Sequence, residues 1–210
     1  MNAFKIVKDF EQAVCEYTGA PFCVAVNSCT NALFLCLKFY ARRYGGTAVL
    51  LPKKTYLSVP MQVMHVGGKP MFEDLEWSGM YQLKPLPIYD SARRFTSKMY
   101  VHPMYNNGGP DRPLFICLSF HWAKTLGIQQ GGAILHNSRV DDDWFRRMRF
   151  DGRTEGVAPK DDNIREIGYH CYMSPEIAAE GLVRLMHLPK VNEDLPNDDY
   201  PDLSQLEVFK

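Results

Sequence analysis

Four short polar segments carry the residues able to do chemistry, and each follows an apolar, strand-like run. Asn27, Ser28, Cys29 and Thr30 follow FCVAV; Thr55 and Tyr56 come after TAVLLP; Asp90 closes PLPIYD and leads into Arg93 and Arg94. Ser119, His121 and Lys124 lie in SFHWAKTLG, between LFICL and GGAILH. A lysine in such a turn can simply point into water. Desolvation and neighbouring cations can instead lower its pKa, making a nucleophilic amine that holds a carbonyl compound as a Schiff base.

The other segments each admit two readings. NSCTNAL opens a helix, whose free N–H groups and positive dipole end suit a phosphate, with Ser28 and Thr30 adding hydroxyls; the same residue types are ordinary helix caps. Asp90 is expected partly buried, where a carboxylate requires a positive partner or good donors. That partner is either Arg93 or Arg94, or a protonated pyridine nitrogen, which an aspartate strengthens as an electron sink. Tyr56, at a helix start, can stack on a flat heteroaromatic ring or pack as any aromatic does. Ser119 and His121 can donate to a phosphate and a phenolate oxygen, and His121 can equally be a satisfied, partly buried histidine. The ordered set is more specific than any member.

The elements that position these residues alternate. Apolar groups at Phe4, Val7, Phe10, Val14 and Tyr17 predict an amphipathic helix stopped by Gly19. FCVAV, TAVLLP, KPMFED, PLPIYD, LFICLSF and GGAILHNS predict strands, and NSCTNALFLCLKFYARRYGG, TYLSVPMQVMHVGG, DDDWFRRMRF and SPEIAAEGLVRLMHL predict helices. This alternation predicts a three-layer α/β sandwich with a mostly parallel sheet, in which ligands collect at the carboxyl ends of the strands. After Leu188 the chain turns acidic and proline-containing, predicting an extended tail packed on the body or on a partner subunit.

Bulk properties narrow the function. The 210 residues carry 24 Lys plus Arg against 24 Asp plus Glu, with 46% hydrophobic and 23% charged residues, the balance of a soluble globular protein. That zero net charge gives no pull toward nucleic acid or membrane. The start, MNAFKIVKDFEQ, has no apolar signal core, and no apolar run is long enough to span a bilayer. The 6 cysteines show no CxxC pairing, no Cys/His cluster suggests a metal, and reduced thiols in a cytoplasmic protein are expected.

FEQAVCEYTGAPFCVAVNSCTNALFLCL, LLPKKTYLSVPMQVMHVGGKPMFED, PIYDSARRF, SFHWAKTLGIQQGGAILHNS, RMRFDGR and IGYHCYMSPEIAAEGL together resemble, in order, the DegT/DnrJ/EryC1/StrS family of pyridoxal-phosphate sugar aminotransferases, of fold type I. The resemblance implies that Lys124 holds pyridoxal 5'-phosphate and shuttles a proton between cofactor and substrate. It implies that Asp90 pairs with the pyridine nitrogen, that Tyr56 stacks on the ring, and that the Cys29 and Thr30 amides bind the phosphate with Ser119. His121 would sit beside the cofactor, and Arg93 would contact it where the family has glutamine. The implied reaction moves an amino group, from glutamate or glutamine, onto a keto sugar linked to a nucleotide. A homodimer with interfacial sites is implied too, and the basic residues at 93–94 and 146–153, by default a solvated surface face, would suit a diphosphate.

Several positions depart from the family pattern. Cys29 replaces a glycine of the phosphate turn, and His170 and Tyr172 replace an asparagine and an arginine. Residues 1–189 read as a reduced large domain and 190–210 as the tail, without the family's C-terminal small domain. Those departures keep two alternatives in view: another pyridoxal-phosphate reaction, elimination or decarboxylation, and a non-catalytic cofactor-binding relative.

Overall fold

Buried strands and amphipathic helices alternate from the start of the chain. A computed structural model describes residues 4–100, 114–197 and 199–210. Helix α1 (Lys5–Thr18) buries Val7, Phe10 and Val14 and ends at Gly19, whose positive φ of 80° allows its N–H to reach the Cys15 carbonyl. Strand β1 (Phe22–Val26) leads into α2 (Cys29–Tyr44), capped by Ser28 through the Asn31 amide at 3.1 Å. There follow β2 (Ala48–Pro52), α3 (Ser58–His65), β3 (Lys69–Glu73), β4 (Tyr81–Gln82) and β5 (Ile88–Ser91). Strands β6 (Phe115–Ser119) and β7 (Gly132–His136) precede α4 (Arg139–Arg149) and α5 (Pro175–His187).

Strands β6 and β7 are buried at every position, which explains their unbroken apolar runs. Phe115, Cys117 and Ile134 face a cluster formed with α2, α3 and α4; Ile116, Leu118, Ala133 and Leu135 face a second cluster formed with α1 and α5. Helices therefore cover both faces, and the expected three-layer α/β sandwich is present.

The strand directions are more mixed than the alternation implied. The main sheet runs β1-β7-β6-β5-β4, and among the described residues only its β5–β6 pair is parallel. Parallel neighbours require a crossover of a dozen or more residues, usually helical. The lysine turn between β6 and β7 and the short link between β4 and β5 have no helix, so those strands return antiparallel. The β2–β3 pair is parallel because α3 crosses between them, and it joins the main sheet through mutual Leu50 and Lys84 backbone bonds of 2.8 and 3.2 Å. Strand β4 is too short to carry a periodic signal.

The acidic tail lies along this body. Lys190 accepts the Ser97 amide at 2.9 Å, and the Asn192 side chain donates to Tyr17 Oη at 2.7 Å and the Phe95 carbonyl at 3.1 Å. Farther on, the Leu203 amide reaches the Lys53 carbonyl at 2.8 Å, the Leu203 side chain is fully buried, and Phe209 meets Phe72.

Candidate active site

Asp90 lies near the end of β5, opposite Cys117 of β6 on one side and Tyr81 of β4 on the other. It is buried. Tyr81 Oη donates to Asp90 Oδ2 at 3.0 Å, and the Ala92 amide donates to Oδ1 at 2.9 Å. Since the Tyr81 proton is committed to Asp90, the Thr55 hydroxyl, 2.6 Å from Tyr81 Oη, is the donor in that pair. Burial raises the Asp90 pKa, against the pull of the Ala92 amide, Tyr81, and the Lys124 and Arg93 charges. Burial and then Asp90 hold the Tyr81 hydroxyl well above the usual phenol range, so it stays a donor.

Lys124 is half-buried in the β6–β7 turn, its amide bonded to the His121 carbonyl at 2.7 Å. Burial and the Arg93 guanidinium lower its amine pKa, while Asp90, Cys29 and Asp199 act in the opposite sense. Four segments distant in sequence thus act on one another electrostatically.

A third group forms where β6, β7 and α2 meet. Ser119 pairs with Gly132 across the two strands. A Cβ on Gly132 would stand 2.4 Å from the Cys29 nitrogen, so glycine is needed for α2 to begin there. The first amides of α2, which have no intrahelical acceptors, therefore lie beside Ser119. Thr30 Oγ1 is 2.9 Å from Ser58 Oγ of α3. Burial pushes the Cys29 thiol well up, keeping it neutral and leaving its backbone N–H as its contribution. Gly132→Ala must displace one of these backbones; it is expected to cost about 1–3 kcal/mol, read as a lowered Tm in thermal unfolding.

Tyr56 and His121 sit farther out. Tyr56 is exposed, its ring 6.4 Å from that of Tyr200 in the tail. His121 is exposed, and its described contacts are within its own turn: Trp122 at 5.4 Å between ring centres and the Ala123 amide at 3.5 Å. Arg93 Nε donates to Tyr200 Oη at 2.9 Å and Nη2 to Asp199 Oδ1 at 2.6 Å.

Two arginines of the basic run that begins at residue 146 serve the fold. Arg146 binds Glu11 and Asp142, each at 2.7 Å, and Arg149 binds Glu11 and Glu155. Those two charges are committed to joining α1 to α4 and to the loop after it, so Arg146 and Arg149 are neither a solvated face nor free for a diphosphate. Sequence reasoning missed Tyr81, Trp77, Asp199 and Tyr200, because LEWSGMYQL and the tail show no periodicity.

The sequence profile of the DegT/DnrJ/EryC1/StrS aminotransferase family matches residues 2–102 and 111–195. The chain belongs to that family. As a member of it, the chain is 41% identical over 71 residues, 33% of its own length and 18% of the relative's, to spore coat polysaccharide biosynthesis protein SpsC of Bacillus subtilis. A broader match, 23% identical, covers 88% of the chain and 57% of a UDP-4-amino-4,6-dideoxy-N-acetyl-beta-L-altrosamine transaminase from Campylobacter jejuni. The solved structure of the sugar aminotransferase CalS13 from Micromonospora echinospora shares the fold, with a TM-score of 0.69 at 19% identity over 88% of this chain and 61% of that one. Helicobacter pylori PseC, an aminotransferase involved in the biosynthesis of pseudoaminic acid, superposes with a TM-score of 0.68 at 16% identity, covering 88% of this chain and 58% of that one. This family member therefore spans less than two thirds of the length of these relatives.

Proposed function

We propose that the chain is a pyridoxal-phosphate-dependent aminotransferase that moves an amino group, from glutamate or glutamine, onto a nucleotide-linked keto sugar. The observation that carries this reading is the placement of a half-buried lysine, Lys124, in the turn that follows β6, with a buried carboxylate, Asp90, on the parallel neighbour strand β5. The donor set fits the cofactor. Asp90 is buried with two neutral donors, and a carboxylate so placed gains most from a further, cationic one such as a pyridinium. The α2 amides, Thr30 and Ser119 suit its phosphate, and the exposed Tyr56 ring, beside Tyr200, would stack on its ring.

When bound, pyridoxal phosphate supplies the electron sink for moving the amino group. The chain's own part is acid–base work and positioning. The Thr55 to Tyr81 to Asp90 donor chain fixes one carboxylate orientation. Lys124, with its pKa lowered, presents a larger uncharged fraction than an exposed lysine and can accept and return a proton. Arg93→Gln removes a cation that disfavours the ammonium form, so the Lys124 pKa should rise. The pH profile of cofactor attachment, followed by visible absorbance, is then expected to move to higher pH than in wild type.

The deciding experiment mixes the full chain with pyridoxal phosphate. A visible band that borohydride fixes on the Lys124 peptide, followed by loss of the band on adding glutamate or glutamine, supports the reading. A fixed band that no amino donor alters would favour the non-catalytic relative, and no band at all would remove the cofactor. The same reading takes residues 1–189 as the cofactor-binding body, 190–210 as a strap on it, and the protein as a cytoplasmic homodimer, the last testable by light scattering.

A further inference from the structure

The C-terminal strap meets the two arginines after Asp90 in different ways. Arg94 holds Asp194 through two bonds of 2.8 and 2.6 Å, and Asp194 also accepts from Ser78 at 3.0 Å. A Cβ on Gly79 would stand 2.3 Å from Asp194 Oδ2, so that carboxylate fills a fitted slot. The adjacent Leu195 amide is tied to the Arg93 carbonyl at 2.8 Å. This is the fixed anchor of the strap.

Arg93 is held otherwise. Its side chain is 11% exposed, while that of Asp199, bonded to it at 2.6 Å through one oxygen, is 68% exposed. A guanidinium so far from water requires an anion beside it, whereas an exposed aspartate loses little by returning to solvent. The bond is thus exchangeable from the aspartate side. It also stands at the site: the Arg93 guanidinium lies 4.6 Å from the Tyr200 ring centre, and that ring is 6.3 Å from Trp77 and 6.4 Å from Tyr56. Trp77 in turn meets Tyr81, the donor to Asp90, at 4.7 Å.

We propose that Arg93 is the carboxylate-recognition residue of this site, taking the carboxylate of an amino-acid donor in exchange for Asp199 of the chain's own strap. The planar guanidinium offers paired N–H groups, the geometry that suits a carboxylate. Asp199 and Tyr200 occupy those groups now, so the strap keeps a buried cation satisfied until a donor arrives. The inference rests on the aminotransferase reading for the identity of the donor, while its test reads binding alone.

The test titrates the full chain, with and without pyridoxal phosphate, with the five-carbon dicarboxylate glutarate by calorimetry. Removing the internal competitor in Asp199→Asn is expected to tighten glutarate binding by about fivefold or more. Arg93→Gln is expected to lose saturable binding in both the wild-type and Asp199→Asn backgrounds, and Arg93→Lys to keep a weaker site. Equal affinity in wild type and Asp199→Asn would overturn the proposal, as would undetected glutarate binding in Asp199→Asn or full binding by Arg93→Gln. A gain seen with inorganic phosphate and not with glutarate would also overturn it. Failure of Lys124 to hold the cofactor, with the Asp199→Asn gain intact, would count against the aminotransferase reading and leave the carboxylate site standing.

Discussion

Lys124→Ala is expected to lower amino transfer by about 10⁴-fold or more, to the limit of detection, without unfolding the protein. The amine is the group that would hold the cofactor, and its charge is one of those that act on Asp90. On the proposed reading, removing it takes away a covalent and a proton-transfer role together. The turn itself does not depend on the side chain, because the Lys124 amide keeps its bond to the His121 carbonyl whatever the residue. Neighbouring Phe120 and Leu126, both buried, hold the turn against the core. The measurement is a single-turnover assay with glutamate and glutamine, beside an unfolding curve and borohydride trapping. Lys124→Arg keeps the positive charge and loses the nucleophile, so it should fail as completely as alanine. Turnover retained in either variant would remove the catalytic assignment.

The largest expected effect on stability lies away from the site, at Glu11. Its carboxylate, buried on α1, accepts the Ala25 amide of β1 at 2.8 Å and binds Arg146 at 2.7 Å and Arg149 of α4. Burial works against the Arg149 charge, and the Glu11 and Glu155 carboxylates overcome it. Glu11→Ala leaves a fully buried guanidinium with one carboxylate fewer and the Ala25 amide without its acceptor. Breaking one side of such a pair costs about 3–5 kcal/mol. Urea unfolding should show a lower midpoint with an unchanged slope. Lys5→Ala, which loses a largely exposed i,i+4 pair with Asp9, should change stability by less than about 0.5 kcal/mol. A Glu11→Ala midpoint equal to that of Lys5→Ala would show the network to be energetically idle.

Much of this protein was legible in its sequence because the relevant physics is local. Apolar period and helix-stop signals located five helices and six of the seven strands seen among the described residues, and Ser28 marked the start of α2 through its own hydrogen bond. The lysine turn was readable because two fully buried strands leave one polar interval between them. The order of cap, aromatic, aspartate and lysine survives in the chain whatever their distances in space, which is why the resemblance to the family was visible there.

What only the tertiary structure decided depends on contacts between residues far apart in sequence. Nothing local to Tyr81 says that its hydroxyl will join Thr55 to Asp90. The basic run after residue 146 reads as a solvated or ligand-binding face until α1 brings Glu11 against it. Asp199 and Tyr200 stand more than a hundred residues from Arg93, in a stretch whose composition suggests only an extended arm. Strand direction belongs here too, since pairing partners are chosen by crossover length and packing across the whole sheet. Local sequence specified the elements and the candidate site residues; their electrostatic partners were fixed by burial, which no single segment contains.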